Sequence, residues 1–169
     1  ADFDSYVEVM APGGTRYEDD DSGGYPNSQL VFVAPETGVY EAFAGSINRT
    51  DAGVFSLGFR RLGTAETILN ATGELTSRDE SDIMGKHYDL YRFTASRGDS
   101  VMLELQSDEF DAYLILRSPD GEILLQDDDG GSGLNSRAEY RIELSGEYEL
   151  VVTSVSNGSL GSYSVQIYK

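Results

Sequence analysis

The feature that most restricts this 169-residue chain is an internal repeat. FDSYV at Phe3 to Val7 returns as FDAYL at Phe110 to Leu114, an offset of 107, and each is followed by a Pro-containing turn, Ala11 to Gly14 and Ser118 to Gly121. After one inserted residue the offset settles at 108, and positions 19–59 share 12 identities in 41 with positions 127–167, without a gap. Asp19, Asp20 and Asp21 fall on Asp127, Asp128 and Asp129, Asn27 and Ser28 on Asn135 and Ser136, and Gly38 and Tyr40 on Gly146 and Tyr148. Self-similarity of this kind means one structural unit used twice.

The repeat also sets the boundaries. The second copy has a leading stretch, roughly Gly63 to Glu109, before its FDAYL, whereas the first has only Ala1 and Asp2. The expectation is an incomplete first module over residues 1–62 and a complete second one over 63–169. An exposed sheet edge is costly, so the first copy's missing strands should come either from sequence ahead of Ala1 or by strand completion from another chain.

Within the second copy, 88–95, 100–105, 112–117, 122–126, 137–144, 147–154 and 161–168 alternate apolar and polar residues or form short apolar runs, as strands do. The separators, such as Arg97-Gly98-Asp99, Ser118-Pro119-Asp120-Gly121 and Asn157-Gly158-Ser159, carry turn chemistry. Residues 65–71 could make one short turn or a strand leading into the module. Seven or eight strands in such a length predict an all-β fold, tandem antiparallel β-sandwich modules of jelly-roll type. Alternation places Tyr148, Leu150 and Val152 on one face and Tyr163, Val165 and Ile167 on another. With Tyr40 and Phe55 as first-copy counterparts, these are the predicted core.

Charge removes several classes of function. Twelve Lys and Arg against 30 Asp and Glu give a net charge of −18, which repels a phosphate backbone and an anionic membrane surface alike. No nucleic-acid partner is expected, and no apolar run is long enough for membrane insertion. The absence of Cys excludes disulfides, thiolate metal sites and a thiol nucleophile.

The strongest chemical signal is the acidic loop Asp127-Asp128-Asp129-Gly130-Gly131, with Asp111 before it and Asn135 after it, repeated as Asp4, Asp19, Asp20, Asp21 and Asn27. Calcium takes six to eight hard oxygens, and an Asp- and Gly-rich turn can supply carboxylates and carbonyls to one Ca2+ ion. The competing reading is that these side chains accept hydrogen bonds from backbone amides and hold a wide turn. A hydrolytic site needs a nucleophile and a positioned base, and the lone His87 has no counterpart in the repeat, so no enzyme activity is expected.

YDLYRFTASRGDSVMLEL, FDAYLILRSPDGEILLQDDDGGSGLNSR, SGEYELVVTS and GSYSVQIY together resemble the bacterial pre-peptidase C-terminal domain, over roughly Gly73 to Lys169 in full and Asp2 to Arg60 in part. The resemblance implies a jelly-roll β-sandwich found on secreted bacterial proteins, an accessory module beside a peptidase or other partner domain rather than a catalyst. It also implies a secreted or cell-surface location. The alternative is an extracellular carbohydrate- or matrix-protein-binding module, which requires an exposed aromatic cluster or a groove. A structural repeat of a surface protein is a third reading.

Overall fold

Val7 and Val9 alternate with Tyr6 and Glu8 at the start of the chain, and this two-residue period builds the first sheet. The computed structural model describes every residue except Ala1, Asp21, Arg49, Leu62 and Ile83. The described elements are all strands, and they fall into two compact units, Ala1–Thr64 and Ala65–Lys169.

The first unit holds β1 (Ser5–Met10), β2 (Arg16–Asp19) and β3 (Glu41–Ser46) in one antiparallel sheet of order β2-β1-β3. Val7, Val9, Ala11 and Tyr17 are buried. Phe32 stacks on Tyr17 with ring centroids 4.5 Å apart, so the segment after β2 covers one face of the sheet.

The second unit holds eight strands: β4 (Thr67–Leu75), β5 (Asp89–Ala95), β6 (Ser100–Gln106), β7 (Ala112–Arg117), β8 (Ile123–Asp127), β9 (Ser136–Arg141), β10 (Gly146–Ser154) and β11 (Gly161–Tyr168). They form two four-stranded antiparallel sheets, β5-β10-β7-β8 and β4-β11-β6-β9. Leu114, Leu116, Tyr148, Leu150 and Val152 of one sheet and Val101, Leu103, Leu105, Val165 and Ile167 of the other meet in one apolar cluster, which makes the unit a β-sandwich. Apolar burial on this scale is the dominant favourable term in folding.

Of residues 65–71, 67–71 open β4, a nine-residue strand, which decides for the strand over the short turn. Gly73 within it is small for a packing reason. A Cβ there would lie 2.3 Å from the Tyr163 hydroxyl oxygen.

The strands of the two units correspond in position. Adding 107 to the bounds of β1 gives those of β7, and adding 108 to β2 and β3 lands within β8 and β10. The sheet order β2-β1-β3 matches β8-β7-β10. The Ala11 N–H donates to Thr15 O and the Ser118 N–H to Glu122 O, both at 2.8 Å. The Ser5 N–H donates to Pro26 O at 3.0 Å, the Ala112 N–H to Leu134 O at 2.9 Å. Gly14 and Gly121 close the two Pro-containing turns with φ of 89° and 84°, where a side chain would be strained.

The correspondence fails on the second sheet. Residues 28–33 and 53–60, the positional counterparts of β9 and β11, make no strand among the described residues. In the second unit β6 lies between those two strands and pairs with both. Among the described residues of 1–64 no strand corresponds to it. The consequence corrects the predicted core: Phe55 is 49% exposed where Tyr163 is 4%, and Tyr40 is only half-buried where Tyr148 is 1%. Apolar side chains on a strand are buried only when a partner strand and a facing sheet close over them.

Candidate functional site

The acidic loops are built by strand ends. β8 and β9 are joined by residues 128–135, and the Asp127 carboxylate at the end of β8 reaches back across that connection. Its Oδ2 accepts from the Gly130 N–H at 3.2 Å and the Arg137 N–H at 2.7 Å. Asp19 repeats this arrangement, with Oδ2 accepting from the Ser22 N–H at 3.2 Å and the Gln29 N–H at 2.7 Å. Both carboxylates thus brace a wide turn by accepting from its backbone donors.

The two Asn residues act in the same turns. Asn135 Nδ2 donates to Ser132 O at 2.8 Å while its Oδ1 accepts from the Ser107 N–H at 2.9 Å. Asn27 Nδ2 donates to Gly24 O at 3.2 Å. Gly131 and Gly23 sit against the carbonyls of Asn135 and Asn27, where a Cβ would approach to 2.5 Å and 2.7 Å.

Burial pushes the Asp127 carboxyl above its ordinary range, the amides of Arg137 and Gly130 pull it down, and the charges of Asp128 and Asp129 add to the rise. The Asp129 carboxyl is also raised, first by its hydrogen bond with Asp128, then by the charge of Asp128, by burial and by the charge of Asp111. Asp111, Asp128 and Asp129 therefore share one negative neighbourhood at the loop. In the first unit Asp4 is half-buried, with Oδ1 buried and without a hydrogen-bond partner, Asp20 is exposed, and Asp21 lies outside the described residues.

Among the described residues no three His, Asp or Glu side chains are grouped to hold one metal ion. In each unit the carboxylate that ends the strand, Asp19 or Asp127, already serves the backbone.

His87 sits at a β-bridge with Ser81; its Nδ1 is 3.2 Å from Asp79 O, and its own carbonyl accepts from Thr153 Oγ1 at 2.7 Å. Arg97-Gly98-Asp99 is a turn, with Asp99 Oδ2 accepting from the Ser96 N–H at 2.9 Å and Gly98 at φ 97°.

Two features escaped the sequence reading. One is Glu104, buried within the apolar run of β6, whose Oε1 has no hydrogen-bond partner. Burial raises its carboxyl, against the pull of Arg137 on the adjacent strand. The other is a cleft of about 280 Å³ in the first unit, between the sheet residues Val7, Val9 and Ala44 and the segments carrying Leu30, Phe32, Phe55, Leu57 and Phe59. Its signal in the sequence was the missing counterpart of β6.

No family model matches the chain, and no curated protein does. Among solved structures, the pre-peptidase C-terminal domain of a collagenase from Bacillus anthracis is similar, with TM-score 0.47 and 18% identity over 59% of this chain and 87% of that one. A periplasmic inhibitor of g-type lysozyme from Aeromonas hydrophila is similar, with TM-score 0.44 and 13% identity over 67% of this chain and 93% of the other. The inhibitor from Salmonella Typhimurium gives 0.42 and 24% over 59% and 89%. Likeness at this level carries neither family membership nor function to the chain.

Proposed function

We propose that the chain is a non-catalytic module of secreted bacterial proteins, of the pre-peptidase C-terminal type, that assists export, folding or attachment of a partner domain. On this reading residues 65–169 are one complete module and residues 1–64 a copy lacking its leading strands. The observation that carries it is what the polar side chains hold. The residues richest in chemistry, Asp127 and Asp19, are tied into backbone turns in the same way in both units. The net charge of −18 suits a soluble exported module.

The test is export of a reporter domain fused to the chain behind a secretion signal, compared with the reporter alone. A severalfold higher yield of folded reporter in the medium is expected; equal yields would sink the accessory role.

Calcium is a separate clause, supported by the shared charge of Asp111, Asp128 and Asp129 alone. A ligand that binds only the folded state stabilises it by about 2.7 kcal/mol at a hundred times its Kd. Calcium titrated calorimetrically into chelator-treated protein, beside a D111N/D129N variant, gives saturable heat lost in the variant if the clause holds. Neither heat nor a shift in melting temperature leaves the loops as turns.

A ligand-binding module is the second reading, favoured by the exposed Phe55 and Phe59 beside the cleft. It predicts saturable binding to an insoluble polysaccharide or matrix protein that F55A/F59A abolishes.

A further inference from the structure

We infer that the cleft of the first unit is a strand receptor, and that its occupant is a polypeptide strand of β6 character, apolar at every second position, supplied from outside residues 1–169. This rests on the proposed reading of residues 1–64 as an incomplete copy. In the second unit, β6 places Val101, Leu103 and Leu105 in the core while its backbone pairs with β11 on one edge and β9 on the other. In the first unit the counterparts of both edges, 53–60 and 28–33, run beside the cleft without strand pairing among the described residues. Phe55, Leu57 and Phe59 repeat the two-residue period of Tyr163, Val165 and Ile167 but are exposed. The floor, Val7 and Val9, is apolar and already buried, so the side chains left for an occupant to cover are Phe55, Leu57 and Phe59. One inserted strand would pair both of these segments and cover the exposed row.

The outer edge of β3, where β10 carries β5, bears no strand among the described residues, so a segment of β5–β6 type would cover it as well.

A second copy of the chain is the wrong occupant. Its own β6 is held between two strands with three fully buried side chains, and withdrawing it would empty one core to fill another. The occupant must be a strand not already committed to a sandwich.

The decisive experiment restores the register by covalent linkage. A copy of residues 65–108 is fused ahead of Asp2 in the full chain, so that the added β6 equivalent connects to FDSYV as β6 connects to FDAYL. Backbone amide exchange is compared between the chain and the fusion. Amides of 30–33 and 55–59 are expected to slow by roughly a hundredfold or more in the fusion, as they pass from open segments into a ladder. A fusion carrying L103D and L105D in the added copy alone should lose that protection.

Unchanged exchange in these segments, with β1 and β2 still protected, overturns the inference. The export yield of the reporter is measured independently, so it decides the accessory role whichever way exchange falls. Protection of the same amides in the unfused chain, growing with concentration alongside a doubled mass, assigns the cleft to a second copy and equally overturns it.

Discussion

At the scale of single residues, the acidic loops turn on which oxygen does what. Both backbone donors at Asp127 point to one oxygen, Oδ2. An Asn can present its single carbonyl oxygen there, whereas Ala cannot. Asp127→Ala is therefore expected to cost about 1.5–3 kcal/mol, the range for hydrogen bonds to a charged group, and Asp127→Asn much less, read from urea unfolding midpoints. If Asn costs as much as Ala, the charge rather than the brace matters and the metal clause gains. Glu104 offers a test with a sign. Its carboxyl is raised by burial, so its folded value lies above its unfolded one. The stability linked to that shift is present below the unfolded carboxyl range and is lost as pH rises through the folded value. Glu104→Gln should accordingly stabilise the protein by about 1 kcal/mol near pH 8 and give no gain near pH 3, where the carboxyl is already protonated. Melting curves at the two pH values decide it; an equal shift at both would mean packing, not charge.

At the scale of strands, the two copies provide a control within one chain. Ile167 on β11 is fully buried and its counterpart Phe59 is 74% exposed, though both continue the same alternating pattern. Ile167→Ala is expected to cost about 2–5 kcal/mol by loss of burial and creation of a cavity. Phe59→Ala should stay within about 0.5 kcal/mol, as for surface positions. A large loss at Phe59 by denaturant unfolding would mean that the first unit is already closed. The contrast also shows what could be read without coordinates. Alternation located the strands of residues 88–168 within a few positions, because period two is a property of the backbone itself. It mistook Phe55 for core because burial belongs to the neighbours of a strand, and those neighbours are absent from residues 1–64. It left β4 open between a turn and a strand, because the packing partner of Gly73 is Tyr163, ninety positions away, whose hydroxyl bonds Tyr91 and Asp89. The competing interpretations of the acidic loop were both visible in sequence, but only the positions of the Arg137 and Gln29 amides show what Asp127 and Asp19 hold.

At the scale of the whole molecule, the two units should not share one stability. Among the described residues, four buried apolar side chains lie in the first unit and nineteen in the second. Net stability is a small difference between burial and conformational entropy, so a unit with so few buried groups stands near the threshold while a closed sandwich stands well above it. Unfolding should therefore occur in two steps, the first confined to residues 1–64. Local opening also governs cleavage when opening is fast, so brief proteolysis should cut first within 28–33 or 53–63. Mass spectrometry is expected to find a resistant fragment beginning near Ala65, with the melting temperature of the main transition unchanged by the cut. A single cooperative transition, or first cuts inside the second unit, would mean that the first unit draws support from a source other than its own three strands. Repeating the digestion on the fusion with a restored leading segment separates the causes. Protection of 53–63 there, without any change in residues 65–169, would locate the weakness in the missing strands rather than in the linker that follows them.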